Sequence, residues 1–156
     1  MRTVTALVAC ALILGAVGCA DMKKSIGEAK GLTDQFLQSQ MAGGDLQKTL
    51  PFYSPKFFEA AGGKDKWQGE LESTARYYGP VKSWSYYTEF KYENKVGTNE
   101  ALPGRKVELK VDVVCEKATA VEEFTLYKPA DGSSGWVIIA HHITPKNPLT
   151  ATRPAP

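Results

Sequence analysis

The stretch from Val107 to Cys115 constrains this chain more than any other. Val107, Leu109, Val111, Val113 and Cys115 alternate with Glu108, Lys110 and Asp112, and Glu116 continues the polar row. A period of two sends successive side chains to opposite faces of a strand, so one face is built for a core and the other for water. Three further runs share this logic. Trp84, Tyr86, Thr88, Phe90 and Tyr92 form one row, opposed by Ser83, Ser85, Glu89 and Lys91, with Tyr87 out of pattern. Ala118 to Tyr127 carries Phe124 and Leu126 on one face, and Trp136 to Ala140 is apolar on both, as in a strand that is central or covered by helices. Asn94–Gly104 and Pro129–Gly135 supply the Gly, Pro, Asn and Asp of turns.

The segments before Val81 have helical spacing. Ser25 and Glu28 stand as a capping box, and Ile26, Ala29, Leu32, Phe36 and Leu37 recur near 3.6 residues until Gly43-Gly44. Ser54-Pro55 is an N-cap followed by proline, with Phe57, Phe58, Ala60 and Ala61 behind it. Asp65 can cap a third helix with Trp67, Leu71, Ala75 and Tyr78 on one stripe, stopped by Gly79-Pro80. Helices followed by a meander of four strands predict an α+β fold, with N-terminal helices packed on a curved antiparallel four-stranded sheet. The expected domain spans residues 25–144. Pro145, Pro148, Pro154 and Pro156 mark residues 145–156 as a Pro-rich disordered tail.

Composition narrows the function classes. Hydrophobic residues make up 43% and charged residues 23%, as in an ordinary globular chain, and a net charge of +2 gives no basic patch for nucleic acid. The three cysteines have no CxxC spacing, so neither a disulfide framework nor a zinc site is expected. Cys115, flanked by Val113, Val114 and Glu116, reads as a buried structural thiol. There is no P-loop, GxGxxG or GxSxG, and no cofactor is expected. His141 and His142 are adjacent, and neighbouring strand residues point to opposite faces, so they do not share a metal ion.

The N-terminus reads as an address. Met1-Arg2-Thr3 is a short positive head, and Val4–Val17 is uncharged and shorter than a membrane span, the layout of a secretory signal peptide over residues 1–18. The run ends Ala16-Val17-Gly18-Cys19, which resembles the lipobox of bacterial lipoproteins, with Ala16 standing where leucine is usual. That resemblance implies cleavage before Cys19, acylation of its thiol, and a membrane anchor through residues 19–24 as a polar lipidated tether. Each buried CH₂ of an acyl chain contributes about 0.8 kcal/mol, so two or three chains hold where one would not. Ala20 follows the cysteine. In the lipoproteins that the sequence resembles, aspartate there favours inner-membrane retention, so the outer membrane, facing the periplasm, is favoured.

The order of elements is similar to the nuclear transport factor 2-like superfamily, a cone-shaped, cystatin-like α+β fold. The resemblance rests on Phe36-Leu37, Tyr53 to Phe58, Tyr78-Gly79-Pro80-Val81, Glu123 to Leu126 and Gly135 to Ile138, none of which is a catalytic signature. It implies a non-catalytic binding or scaffolding module, a homodimer or envelope-complex subunit through a sheet face, or a small isomerase- or hydratase-type enzyme acting on a hydrophobic molecule. Trp84, Tyr86, Phe90, Tyr92, Glu122 and His142 are the candidate pocket lining. Core packing against Phe36, Phe57 and Trp67 is the favoured use of the rings. Glu122 shares parity with Phe124 and is expected at a rim or bulge, because buried carboxylates are rare. An enzyme would use Glu122, Tyr86 and one histidine. No catalytic residue is assigned.

Overall fold

A computed structural model describes residues 4–41, 46–95 and 103–148, with side chains described from Cys19 to Lys146 within those ranges. It is an α+β arrangement: helices lie on one face of an open, four-stranded antiparallel sheet. The helices are α1 (Val4–Ser39), α2 (Pro55–Ala60) and α3 (Lys64–Tyr78). Two short 3₁₀ turns, Leu46–Lys48 and Leu50–Phe52, join α1 to α2 and had no counterpart in the sequence pattern. The strands are β1 (Val81–Lys95), β2 (Gly104–Cys115), β3 (Ala118–Pro129) and β4 (Val137–Pro148), adjacent in that order.

The alternation predicted for β2 is observed. Val107, Leu109, Val111, Val113 and Cys115 are buried beneath the helices. Lys106, Glu108, Lys110 and Asp112 stand on the other face, where they join an ion-pair lattice. Lys91 meets Glu108 at 3.0 Å, Lys110 meets Glu123 at 2.8 Å, and Lys146 reaches Asp112 at 2.9 Å. This face is wet and self-neutralising.

α1 covers the buried face. Ile26, Ala29, Thr33, Phe36 and Leu37 are its buried stripe. The Thr33 hydroxyl bonds back to the Ala29 carbonyl at 3.1 Å, which makes a polar residue tolerable there. Phe36 is the central ring. It meets Phe52, Tyr53, Phe124 and His141 edge-on, with centroids 5.4–5.8 Å apart. It therefore joins helix, connecting segment and sheet.

Several local expectations are corrected. α1 runs unbroken through residues 19–24 and through Ser25, so there is no tether and no capping box. Ser25 is buried in mid-helix, and Glu28 bonds Lys128 and Trp136 instead of a free helix end. The expected stop at Gly43-Gly44 lies outside the described residues, and α1 ends at Ser39. Gly63, not Asp65, holds the N-cap of α3, with Asp65 in the first turn. β4 continues to Pro148, so residues 145–148 of the expected tail are strand, while residues 149–156 lie outside the described range. Ser54 does cap α2, accepting the Phe57 N–H at 3.1 Å.

Where α3 turns into β1, Gly79 has φ 74° and donates its N–H to Ala75 O. A Cβ there would lie 3.0 Å from the Glu116 Cβ, so the turn needs glycine twice over. Tyr78 and Pro80 carbonyls accept the N–H groups of Lys117 and Glu116, locking the end of α3 to the β2–β3 turn. Among the described residues no helix is long and apolar enough to cross a membrane.

If Phe36 is the joint between layers, Phe36→Ala destabilises the fold by about 3–5 kcal/mol, as for a large buried ring. Phe90→Ala, at a ring 42% exposed, changes stability by about 0.5 kcal/mol or less. Urea denaturation of both variants checks the contrast.

Candidate functional site

The site begins with an irregularity in β4. Thr125 pairs with Ala140 and Leu126 with Ile138, so Ile139 is an extra residue against β3. The bulge reverses the in-out order of everything beyond it. His141 is thereby placed opposite Phe124 on the inner face, while His142 lies opposite Glu123, exposed at the rim.

His141 has a fully buried side chain. Its ring stacks on Phe124 at 4.3 Å and 16°, and Phe36 and Trp67 meet it edge-on. Both ring nitrogens are engaged. Nδ1 lies 2.8 Å from the Tyr53 hydroxyl and Nε2 lies 2.9 Å from Glu122 Oε2. Burial, and then the nearby Glu122 charge, push the Tyr53 phenol well above its ordinary value, so it stays protonated. The phenol therefore donates to Nδ1, which leaves Nε2–H to donate to the Glu122 carboxylate. A Tyr53–His141–Glu122 chain thus threads the core, held by three separate elements.

The rim position expected for Glu122 is corrected: Glu122 is 4% exposed and sits in mid-strand between Val111 and Ile143. Its burial is tolerated because His141 supplies a donor. Glu122 also lines a small cavity of about 20 Å³ with Thr74, Tyr78, Cys115 and Ile143. Such a space holds about one water molecule. A groove of about 260 Å³ follows between α3 and β4, lined by Trp67, Glu70, Thr74, His141 and His142. Cys115 is buried as expected, and its thiol is pushed up to about 11 by burial and by the Glu122 charge.

The aromatic row of β1 is elsewhere. Trp84, Tyr86 and Tyr92 are half-buried and pack against the core cluster, as expected, beside α1. They present polar tips to helix carboxylates. The Trp84 indole N–H and the Tyr86 hydroxyl both reach Asp34 Oδ1, at 2.8 and 2.7 Å, and the Tyr92 hydroxyl reaches Asp21 at 3.0 Å. Lys30 lies over the Tyr86 ring at 4.7 Å. Burial, followed by Asp34, holds the Tyr86 phenol far above its ordinary value. Tyr87, next after the inward Tyr86, faces outward by ordinary alternation and donates to Asp112 at 3.1 Å, and between Tyr86 and Phe90 the register with β2 slips by two residues. Phe90 borders a shallow hollow with Lys110 and Glu123.

Of the set Glu122, Tyr86 and one histidine, the structure joins Glu122 to His141 and leaves Tyr86 on the far flank. Tyr53 takes the third place, and no sequence pattern pointed to it, because it lies in an irregular connection. Among the described residues no three His, Cys, Asp or Glu side chains are grouped to hold a metal ion. Chemically, both nitrogens of His141 are committed within the protein, and Cys115 holds almost no thiolate. What remains open is the second oxygen of Glu122. No protein-family model, curated protein or solved structure matches the chain.

Two outcomes follow from this geometry. His141→Ala strands the buried carboxylate and costs about 3–5 kcal/mol, whereas replacing both members of the pair by Leu and Phe is close to neutral. Additive losses in urea denaturation of the single and double variants would contradict a coupled pair. With Cys115 held at about 11, its thiolate fraction at pH 8 is about one in a thousand. Iodoacetamide then labels Cys115 only as fast as the protein unfolds, and rapid labelling of folded protein would contradict the burial.

Proposed function

We propose that this chain is a bacterial envelope lipoprotein, acylated at Cys19, whose α+β domain is a non-catalytic binding or scaffolding module of the cone-shaped nuclear transport factor 2-like kind. One observation carries the reading. Cys19 is exposed immediately before the point where α1 engages the sheet, with Asp21 and Met22 half-buried and Ser25 and Ile26 buried. A thiol in that place is free for modification without disturbing the core. The uncharged run Val4–Val17 and the small Gly18 before it suit export and cleavage. The packed interior supports a role without chemistry: rings surround His141, and its nitrogens are already bonded. Ala20, in place of aspartate, favours the outer membrane facing the periplasm. Partners are the bilayer, through the lipid, and a second copy or a larger envelope complex.

A second reading, a small isomerase- or hydratase-type enzyme for a hydrophobic molecule, draws on the burial of Glu122 beside a cavity. That enzyme would need the rings over His141 to part for its substrate. A native protein that binds anilinonaphthalene sulfonate at neutral pH would favour it, and one that does not would favour the module.

Metabolic labelling with an alkynyl palmitate analogue tests the first reading. The wild-type chain is expected to incorporate label and to fractionate with membranes. Cys19→Ala is expected to do neither. Equal labelling of both would refute acylation at Cys19.

A further inference from the structure

The connection between lipid and domain is short enough to fix how the domain stands on the bilayer. We infer that the end of the sheet formed by Glu93–Lys95, Gly104–Lys106, Lys128–Pro129 and Trp136 lies against the phospholipid headgroups, and that the hollows beside α3 open away from them. The inference rests on the acylation proposed above and adds an orientation to it.

Asp21 is pinned by Arg105 at 2.9 Å and by Tyr92 at 3.0 Å. These partners sit at the start of β2 and near the end of β1, so Asp21 marks one end of the sheet. About two turns of helix later Glu28 is pinned as well, by Lys128 at 2.8 Å and Trp136 at 2.9 Å, at the end of β3 and just before β4. All four strands thus meet α1 near its acylated end. Cys19 precedes Asp21 by two residues, which is about 3 Å of helix and at most about 7 Å if that stub unwinds. A lipid on Cys19 cannot lie far from this end. Lys23 and Lys24, both exposed on the first turn, would face anionic headgroups.

The opposite end is distant. From Arg105 to Cys115 a strand rises about 33 Å. There lie Gly79 and Pro80, the cavity at Glu122, and a wider hollow of about 360 Å³ lined by Gln40, Leu46, Glu72 and Arg76. Any partner of these hollows approaches from the aqueous side, about 30 Å above the lipid surface.

Full-length chain, produced with its own leader in a lipoprotein-processing bacterium, is reconstituted in phosphatidylethanolamine–phosphatidylglycerol vesicles, and acyl mass at Cys19 is verified. With Cys19 blocked by lipid and Cys115 buried, a fluorophore goes only to an introduced thiol. Ser133→Cys marks the near end and Lys82→Cys the far end. Nitroxide-headgroup lipids are expected to quench the dye at 133 about tenfold more than at 82, given ends about 30 Å apart. Inserting a twelve-residue Gly/Ser linker between Ala20 and Asp21 should remove the difference while keeping the acyl mass. Equal quenching at both positions in acylated, linker-free protein would overturn the orientation and leave acylation standing. Absence of acyl mass would instead overturn acylation, and the orientation with it.

Discussion

The structure depends on how α1 is held to the sheet. Phe36 fills the centre of the contact, and three carboxylates fasten its flanks. Asp34 takes the polar tips of Trp84 and Tyr86 on one flank, while Asp21 takes Tyr92 and Glu28, two turns on, takes Lys128 and Trp136 on the other. A four-stranded sheet has one face to hide, and α1 lies along most of its length. The apolar stripe supplies most of the attraction. The carboxylates supply register, because each finds its donor at only one sliding position of the helix. Lys128 together with Trp136 keeps the Glu28 carboxyl below its usual range.

The same arrangement explains which features were legible in the sequence. β2 could be read directly, since a strand with one wet face writes its period into the chain. The order of helices and strands followed from stops such as Gly79-Pro80. The bulge at Ile139 could not be read, because Trp136 to Ala140 is apolar on both faces and a slip leaves no mark in the pattern. That slip makes His141, not His142, the inward histidine. Ser25 and Glu28 have the spacing of a helix start, yet local spacing does not reveal that the preceding residues are helical too. The β1 rings were legible as one aromatic row, suited to core packing or a pocket. Their actual use, as donors to helix carboxylates, depended on the position of α1.

The Tyr53–His141–Glu122 chain has the same character. A buried carboxylate beside a histidine invites a catalytic interpretation, but every polar atom of His141 is spent inside the protein. Tyr53 also bridges to Ile138, and the adjacent Ser54 N–H donates to the Ile138 carbonyl, so one segment both covers the edge of β4 and completes the chain. Removing a member would loosen the edge and the core together. The groove beside α3 is therefore best understood as a surface built on a rigid floor. Glu70 and His142 line it, and in the binding-module reading proposed above they would set partner specificity.

The central claim is that the fold begins at Cys19, so that a lipid carried there, as proposed, leaves no slack between anchor and domain. Hydrogen exchange of the mature, acylated protein in nanodiscs tests it most directly. After cleavage the first four N–H groups of the helix lack acceptors, so protection should begin near Lys23. The account predicts that amides from Lys23 to Ile26 exchange as slowly as those around Ala29. Exchange at unfolded-chain rates through Glu28 would mean that the first turns are a loose tether, and would contradict it.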